Sequence, residues 1–129
     1  MQKTEKFTLL IVDDELNFLE ATAAVLEVKG YRVITAKNSA EGLKAAAKYL
    51  PNLILLDIRM PDLDGWQTLA AIRASAKIKH IPVIMLTTLN QIGDITRSFD
   101  IGANGYLSKP VNTQRLYTKV EEHLLRKEK

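Results

Sequence analysis

With 129 residues, 47% of them hydrophobic and 26% charged, the chain suits one domain with a single core, because domains most often run to about 100–150 residues, and a second domain of ordinary size is excluded. The absence of cysteine excludes disulfides, thiolate metal sites and cysteine nucleophiles, so any chemistry rests on oxygen and nitrogen groups and a reducing cytoplasm is the expected compartment. Eighteen Lys and Arg against fifteen Asp and Glu give a net charge of +3, but the basic residues are dispersed apart from Arg126, Lys127 and Lys129, so direct nucleic-acid binding is not expected; nor is a membrane span or an export signal.

Short apolar runs alternate along the chain with segments of helical spacing. Phe7 to Val12 is the first run, and Leu16, Leu19, Ala23 and Leu26 form a stripe closed by Lys29-Gly30. Tyr31 to Ala36 is the second, followed by a stripe of Ala40, Leu43, Ala47 and Leu50 that starts near Ser39 and stops at Pro51. Leu53 to Leu56 precedes Trp66, Leu69 and Ile72; Ile81 to Leu86 precedes Ile92, Ile95 and Phe99, with Asn90 as the helix start and Gly102 as the stop. Tyr106-Leu107 precedes Leu116, Val120 and Leu124. Continuous rather than alternating apolar strands are covered on both faces. The pattern predicts a (βα)5 unit with a doubly wound, flavodoxin-like parallel sheet in the order 2-1-3-4-5, helices on both faces, and one domain over 1–129 with its core at about 7–125.

In such a sheet, ligands bind outside the carboxyl ends of the strands at the switch point between strands 1 and 3. The residues at those ends are Asp13-Asp14-Glu15, Asp57, Thr87-Thr88 and Lys109-Pro110. Asp13 and Asp57 are distant in sequence, yet the expected order makes their strands neighbours, about 4.8 Å apart. Taken singly, each residue has a plainer explanation: Asp14 and Glu15 as helix caps, Thr87 and Thr88 as strand formers, Lys109 as a solvated lysine, Tyr106 as a half-buried strand aromatic. Asp57, between Leu56 and Ile58, is harder to explain without partners. Jointly, the three carboxylates repel unless one is protonated or a cation sits between them; a hard divalent cation is the economical solution, and oxygen-only donors favour Mg²⁺, with Mn²⁺ able to substitute.

Four segments, Leu10-Ile-Val-Asp-Asp-Glu15, Leu53-Ile-Leu-Leu-Asp-Ile-Arg-Met-Pro-Asp-Leu-Asp-Gly65, Val83-Ile-Met-Leu-Thr-Thr88 and Gly102-Ala-Asn-Gly-Tyr-Leu-Ser-Lys-Pro110, resemble the receiver domains of two-component response regulators. The resemblance implies that Asp57 is the phosphoacceptor for a histidine kinase or histidine phosphotransfer protein. It also implies that Asp13, Asp14, Asp57 and the backbone carbonyl of Arg59 hold Mg²⁺, and that Lys109 pairs with Asp57 and then with the phosphoryl group. Thr87 and Tyr106 are the implied switch pair, with Thr87 binding a phosphoryl oxygen and Tyr106 rotating inward. Arg97, Phe99, Tyr106, Tyr117 and Lys119 are the expected contacts for a downstream effector, or for a phosphorylation-dependent homodimer, on the face of the fourth helix, fifth strand and fifth helix. A cis Lys109-Pro110 bond is implied as well. The domain is expected to be a signalling module rather than an enzyme, while catalysing gain and loss of its own phosphoryl group.

Thr88 stands where the family usually has a very small residue, and Val111 where an aromatic is frequent. Together with Arg59 and Leu89, Thr88 is expected to tune rates rather than abolish function. Two rival readings are weighed against this one. A haloacid-dehalogenase-type phosphohydrolase needs Asp-x-Asp after the first strand, whereas Asp13 and Asp14 are adjacent. A receiver-like interaction module acting without phosphate stays open.

Overall fold

The computed structural model describes residues 7–88 and 92–128, with side chains described as far as Leu124. Asn90, expected as a helix start, and Leu89 lie outside the described residues, as do the side chains of Arg126, Lys127 and Lys129. The elements are β1 (Thr8–Val12), α1 (Leu16–Val28), β2 (Arg32–Ala36), α2 (Ser39–Tyr49), β3 (Leu53–Asp57), α3 (Gly65–Ala74), β4 (Val83–Thr87), α4 (Ile92–Ile101), β5 (Gly105–Ser108) and α5 (Thr113–Glu128). All strand pairs are parallel and the order is β2-β1-β3-β4-β5, as the sequence pattern predicts.

Side chains alternate across each strand, so each apolar run feeds two cores. Leu10, Val12, Ile54, Leu56, Val83 and Met85 pack with Ala46 of α2 and with Leu69 and Ile72 of α3. Leu9, Ile11, Leu53, Leu55, Ile84, Leu86 and Leu107 pack with Leu19 and Leu26 of α1 and with Leu116, Val120 and Leu124 of α5. The edge strands are the ones with exposed residues, Arg32 and Thr35 in β2 and Ser108 in β5.

Three expected helix faces are turned from their predicted positions. In α1 the buried residues are Leu19, Thr22 and Leu26, while Leu16 is 60% exposed. In α2 they are Ser39, Gly42 and Ala46, and Ala40 and Leu50 face solvent. The cause is a close approach: a Cβ on Gly42 would lie 2.9 Å from Val12 Cγ2, so the helix touches the sheet where it has no side chain. Its N-cap is Asn38, one residue before the expected Ser39, with Oδ1 accepting from the Glu41 N–H at 2.9 Å. The expected stops are present at Gly30 and Gly102, with φ of 95° and 127°.

The third is α4. Ile92 and Phe99, expected on its core stripe, are exposed, and Ser98 is its buried residue. Polar contacts replace the missing apolar face. Trp66 Nε1 donates to Ser98 Oγ at 2.9 Å, Ser98 Oγ donates to the Asp94 carbonyl at 3.0 Å, and the Arg97 guanidinium lies 4.0 Å from the centre of the Trp66 ring.

At the opposite end of the sheet, Arg73 joins three segments. Nε donates to the Gly102 carbonyl at 2.9 Å, Nη1 to the carbonyls of Lys79 and Ile81 at 2.9 and 2.8 Å, and Nη2 to Asn104 Oδ1 at 2.8 Å. Asn104 Oδ1 also accepts from the Val83 N–H at 2.9 Å, so this network fixes where β4 and β5 begin.

Arg73→Ala removes the side-chain donor from the part-buried carbonyls of Gly102 and Ile81 and should cost about 3 kcal/mol in urea unfolding, with Arg73→Lys recovering only a fraction because one ammonium cannot span the set. Ser98→Ala should change the emission of Trp66, the single tryptophan of the chain, while leaving the circular dichroism spectrum unaltered; an unchanged emission maximum would contradict the hydrogen bond.

Candidate functional site at the carboxyl ends of the strands

Parallel strands carry their carboxyl ends to one edge of the sheet, and the strand order sets β1 between β2 and β3 there. Asp13 follows β1, Asp57 is the last residue of β3, Thr87 is the last residue of β4, and Lys109 follows β5. The register pairs Asp57 with Leu86 and Thr87 with Ser108, so the polar residues emerge at nearly one level. One carboxylate oxygen from each of Asp13, Asp14 and Asp57 falls within a group no wider than 4.8 Å. Asp13 is wholly buried, Asp57 is 6% exposed, and Asp14 is open to solvent.

Lys109 Nζ lies 2.6 Å from Asp13 Oδ2 and 3.4 Å from Asp57 Oδ1, so the ammonium is shared, with the shorter contact to Asp13. Asp13 Oδ1 accepts from the Glu15 N–H at 2.9 Å, which caps the chain as it turns into α1. The Lys109 N–H donates to the Thr87 carbonyl at 2.8 Å, tying the lysine backbone to the end of β4. The Lys109-Pro110 bond is cis, as expected.

Burial is the main cause that raises the Asp57 carboxyl from 3.8 to about 6, followed by the charge of Asp13; Lys109 opposes both and Asp14 adds to them. Burial pulls Lys109 down, but its hydrogen bond to Asp13 and the charges of Asp57 and Asp13 together outweigh it and hold the ammonium above the ordinary lysine value. With all three carboxylates ionised, one lysine leaves two negative charges uncompensated. An all-oxygen donor set with that deficit fits a hard divalent cation.

The loop leaving β3 is anchored at three points. The Gly65 N–H donates to the Ile58 carbonyl at 2.5 Å, and a Cβ on Gly65 would collide with the Asp57 carbonyl oxygen and Ile58 Cα. Asp64 caps α3, its carboxylate accepting from the Gln67 N–H at 2.8 Å in a reciprocal capping box. The Asp62 carboxylate accepts from the N–H groups of Ser39 and Ala40, both at 3.1 Å, and these bonds, Ser39 first, hold it below the usual carboxylate range. The loop after Asp57 is thereby tied to the start of α2.

Thr87 and Tyr106 line one tight crevice, too narrow to admit a water molecule, with Ile58, Asp94, Ile95 and Ser98. The Tyr106 ring meets Phe99 edge to face, with centroids 6.3 Å apart. Of the expected partner-face residues, Phe99, Tyr106 and Lys119 cluster around β5, the Lys119 stem running beside Gly105. Arg97 is drawn toward α3 by Trp66. Tyr117 does not belong to this face. Its hydroxyl donates to the Val25 carbonyl of α1 at 2.8 Å and Lys29 lies over its ring, because the position next to Leu116 turns toward the other side of α5. Arg59 and Thr88 are exposed residues of the loops leaving β3 and β4.

Two contacts were not anticipated from sequence. The Asp62 link to α2 had a weak signal in an acid facing a helix start. The ring of Phe18 on α1, 4.4 Å from Lys109 Nζ, had none, since only the fold brings positions 18 and 109 together.

The raised Asp57 pKa carries a pH prediction. The protonated carboxyl suits the folded pocket better than the charged one, so its contribution is full below pH 4 and is lost as pH rises through about 6. The gap between 3.8 and about 6 is worth about 3 kcal/mol. In buffer with a chelator, Asp57→Asn should therefore be more stable than wild type at pH 7.5, with the advantage shrinking toward pH 4. Urea unfolding across that range checks it, and parallel stability curves would contradict it.

The comparisons with known proteins agree with this geometry. The chain matches the response regulator receiver domain over residues 9–121. It is 35% identical over 127 residues to a probable transcriptional regulator, ycf27, of Pyropia yezoensis, covering 98% of this chain and 51% of that protein. It is 36% identical over 118 residues to the DNA-binding dual master transcriptional regulator RpaA of a Synechocystis species, covering 92% and 49%. The chain thus spans about half the length of the curated relatives it matches. Among solved structures, a CheY-like response regulator receiver domain protein from Methanospirillum hungatei superposes with a TM-score of 0.88 at 34% identity, covering 95% of this chain and 96% of that one. Chemotaxis protein CheY4 of Vibrio cholerae gives 0.87 at 30% identity, covering 92% and 98%. Sequence, topology and the acidic pocket converge on two-component signalling, and the chain belongs to the family of response regulator receiver domains.

Proposed function

We propose that Asp57 is the phosphoacceptor of this receiver, taking its phosphoryl group from a phosphohistidine of a sensor kinase or a histidine phosphotransfer protein. The observation that carries the reading is the placement of Asp57: a nearly buried carboxylate at the end of β3, between the acids of β1 on one side and Thr87 of β4 on the other, with Lys109 within 3.4 Å. A carboxylate oxygen attacks phosphorus, the P–N bond breaks, and its electron pair leaves on the imidazole, giving an aspartyl phosphate. The attack needs the ionised carboxylate, which burial and the charge of Asp13 disfavour in the metal-free pocket. Mg²⁺, or Mn²⁺ in its place, held by Asp13, Asp14, Asp57 and the Arg59 carbonyl, supplies charge neutralisation of the phosphoryl oxygens when bound.

Lys109 then shifts weight from Asp57 toward a phosphoryl oxygen, and the Thr87 hydroxyl donates to another. Because Thr87 and Tyr106 share one recess, drawing Thr87 toward the phosphoryl group opens room for the tyrosine ring. The surface of Phe99, Tyr106 and Lys119 is the readout, for an effector domain or protein or for a second phosphorylated copy. Phe99 belongs to the weakly buried α4, which allows that part of the surface to move without breaking either core. Arg59 and Thr88, exposed beside the pocket, set how readily water reaches the acyl phosphate. The domain acts as a signalling module in the cytoplasm, catalysing only its own phosphoryl gain and loss. No helix among the described residues is long and apolar enough to cross a membrane.

The test is intact mass after incubation with acetyl phosphate and Mg²⁺. A single phosphoryl adduct is expected on wild type and none on Asp57→Asn or in chelator. No adduct, even with a phosphorylated histidine donor and rapid quenching, would shift the reading to a binding module that works without phosphate.

A further inference from the structure

Lys109 has three N–H bonds to place in a site that is largely closed to water. Its side chain is 13% exposed, and two of its neighbours are the carboxylates of Asp13 and Asp57, at 2.6 and 3.4 Å. The third is not an oxygen. The Phe18 ring, in the first turn of α1, lies with its centroid 4.4 Å from Nζ, within the range at which an aromatic face attracts an ammonium. Phe18 is itself held: it packs against the core shared by α1 and α5 and forms one wall of the recess lined by Val25, Pro110, Val111 and Leu116. The ring therefore has a fixed position from which to confine the ammonium.

We propose that Phe18 is a positioning residue for Lys109. It closes the third side of the ammonium and keeps Nζ within reach of Asp57, although its shorter contact is to Asp13. The inference rests on the reading of Asp57 as phosphoacceptor. An aliphatic side chain at position 18 would fill similar space but offer no negative ring face. Nζ would then gain freedom to turn toward solvent or settle wholly on Asp13, in either case away from the oxygen where phosphoryl charge develops. The ring thus acts on the rate of phosphoryl transfer without touching phosphorus or the reacting oxygen. Asp13 and Asp14 lie on the turn that leads into α1, so the segment that supplies two of the site's acids continues into the helix that carries the ring confining its lysine.

The experiment compares Phe18→Leu with Phe18→Tyr and Phe18→Trp, in chains checked for an unaltered melting transition. Phosphorylation by acetyl phosphate is followed at several donor concentrations, and the Lys109 side-chain resonance is followed by NMR, assigned through Lys109→Arg. Phe18→Leu should lower the limiting phosphorylation rate about 3- to 10-fold, the size expected of one partly desolvated cation–π contact. The half-saturating donor concentration should be little changed, and the ring-current shift of Lys109 should disappear. Tyr and Trp should restore both the rate, to within about 2-fold, and the shift. A wild-type rate in Phe18→Leu, or no recovery with Tyr and Trp, would overturn the inference while leaving the phosphoacceptor reading intact. No Asp57 adduct on the wild-type chain would remove that reading, and this inference with it. A Lys109 resonance with no ring-current shift in wild type would overturn the inference by itself.

Discussion

The constraint on which the site depends is electrostatic: three carboxylates gathered at the end of a parallel sheet, with one lysine among them. Asp13 is wholly buried and engaged through both oxygens, one with the Glu15 N–H and one with Lys109. Asp57 is left with the weaker share of the ammonium, and burial first, then the charge of Asp13, raises its pKa. The division is useful for the proposed chemistry. Asp13 and Lys109 form a stable pair that frames the pocket, while Asp57 keeps lone pairs uncommitted enough to act as a nucleophile.

That arrangement is unfavourable locally, and the surrounding structure offsets it. Two apolar cores fix the sheet, so the strand ends cannot part to relieve repulsion. The loop after Asp57 is held by Gly65 against Ile58, by the Asp64 capping box and by Asp62 on the first amides of α2. The last two place a negative side chain on helix amide groups, where it is stabilised, rather than in the pocket, where it would add to the repulsion. The acids of this loop thus serve two different purposes within eight residues.

Stability is distributed unevenly, in a way that suits a switch. The sheet and α1, α3 and α5 are bound by buried Leu, Ile and Val, whereas α4 buries little more than Ser98 and leans on the Trp66 hydrogen bond and the Arg97 stack. Elements held by a few polar contacts open at lower cost than those held by core packing. Arg73 and Asn104 secure the starts of β4 and β5 at the far end of the sheet, so displacement of α4 and of the ends of those strands need not travel through the rest of the molecule.

Much of this was legible from the chain alone. Continuous apolar runs alternating with helical spacing pointed to five strands and five helices in a parallel sheet, for which 2-1-3-4-5 is the favoured order, because strands joined by crossover helices are covered on both faces. The polar residues at the run ends, Asp13, Asp14, Asp57, Thr87 and Lys109, determined the pocket, since the strand order brings them together whatever the details of packing. Helix rotation was not legible. Which face of α2 meets the sheet depends on Gly42 sitting against Val12, and α4 is held by a tryptophan on a different helix. Tyr117 was misplaced for the same reason, its hydroxyl going to a carbonyl of α1. Only the tertiary structure decided that Lys109 lies closer to Asp13 than to Asp57 and beneath Phe18. Such contacts join residues far apart in sequence through side-chain directions a few ångströms in extent, and hydrophobic periodicity carries no information at that scale.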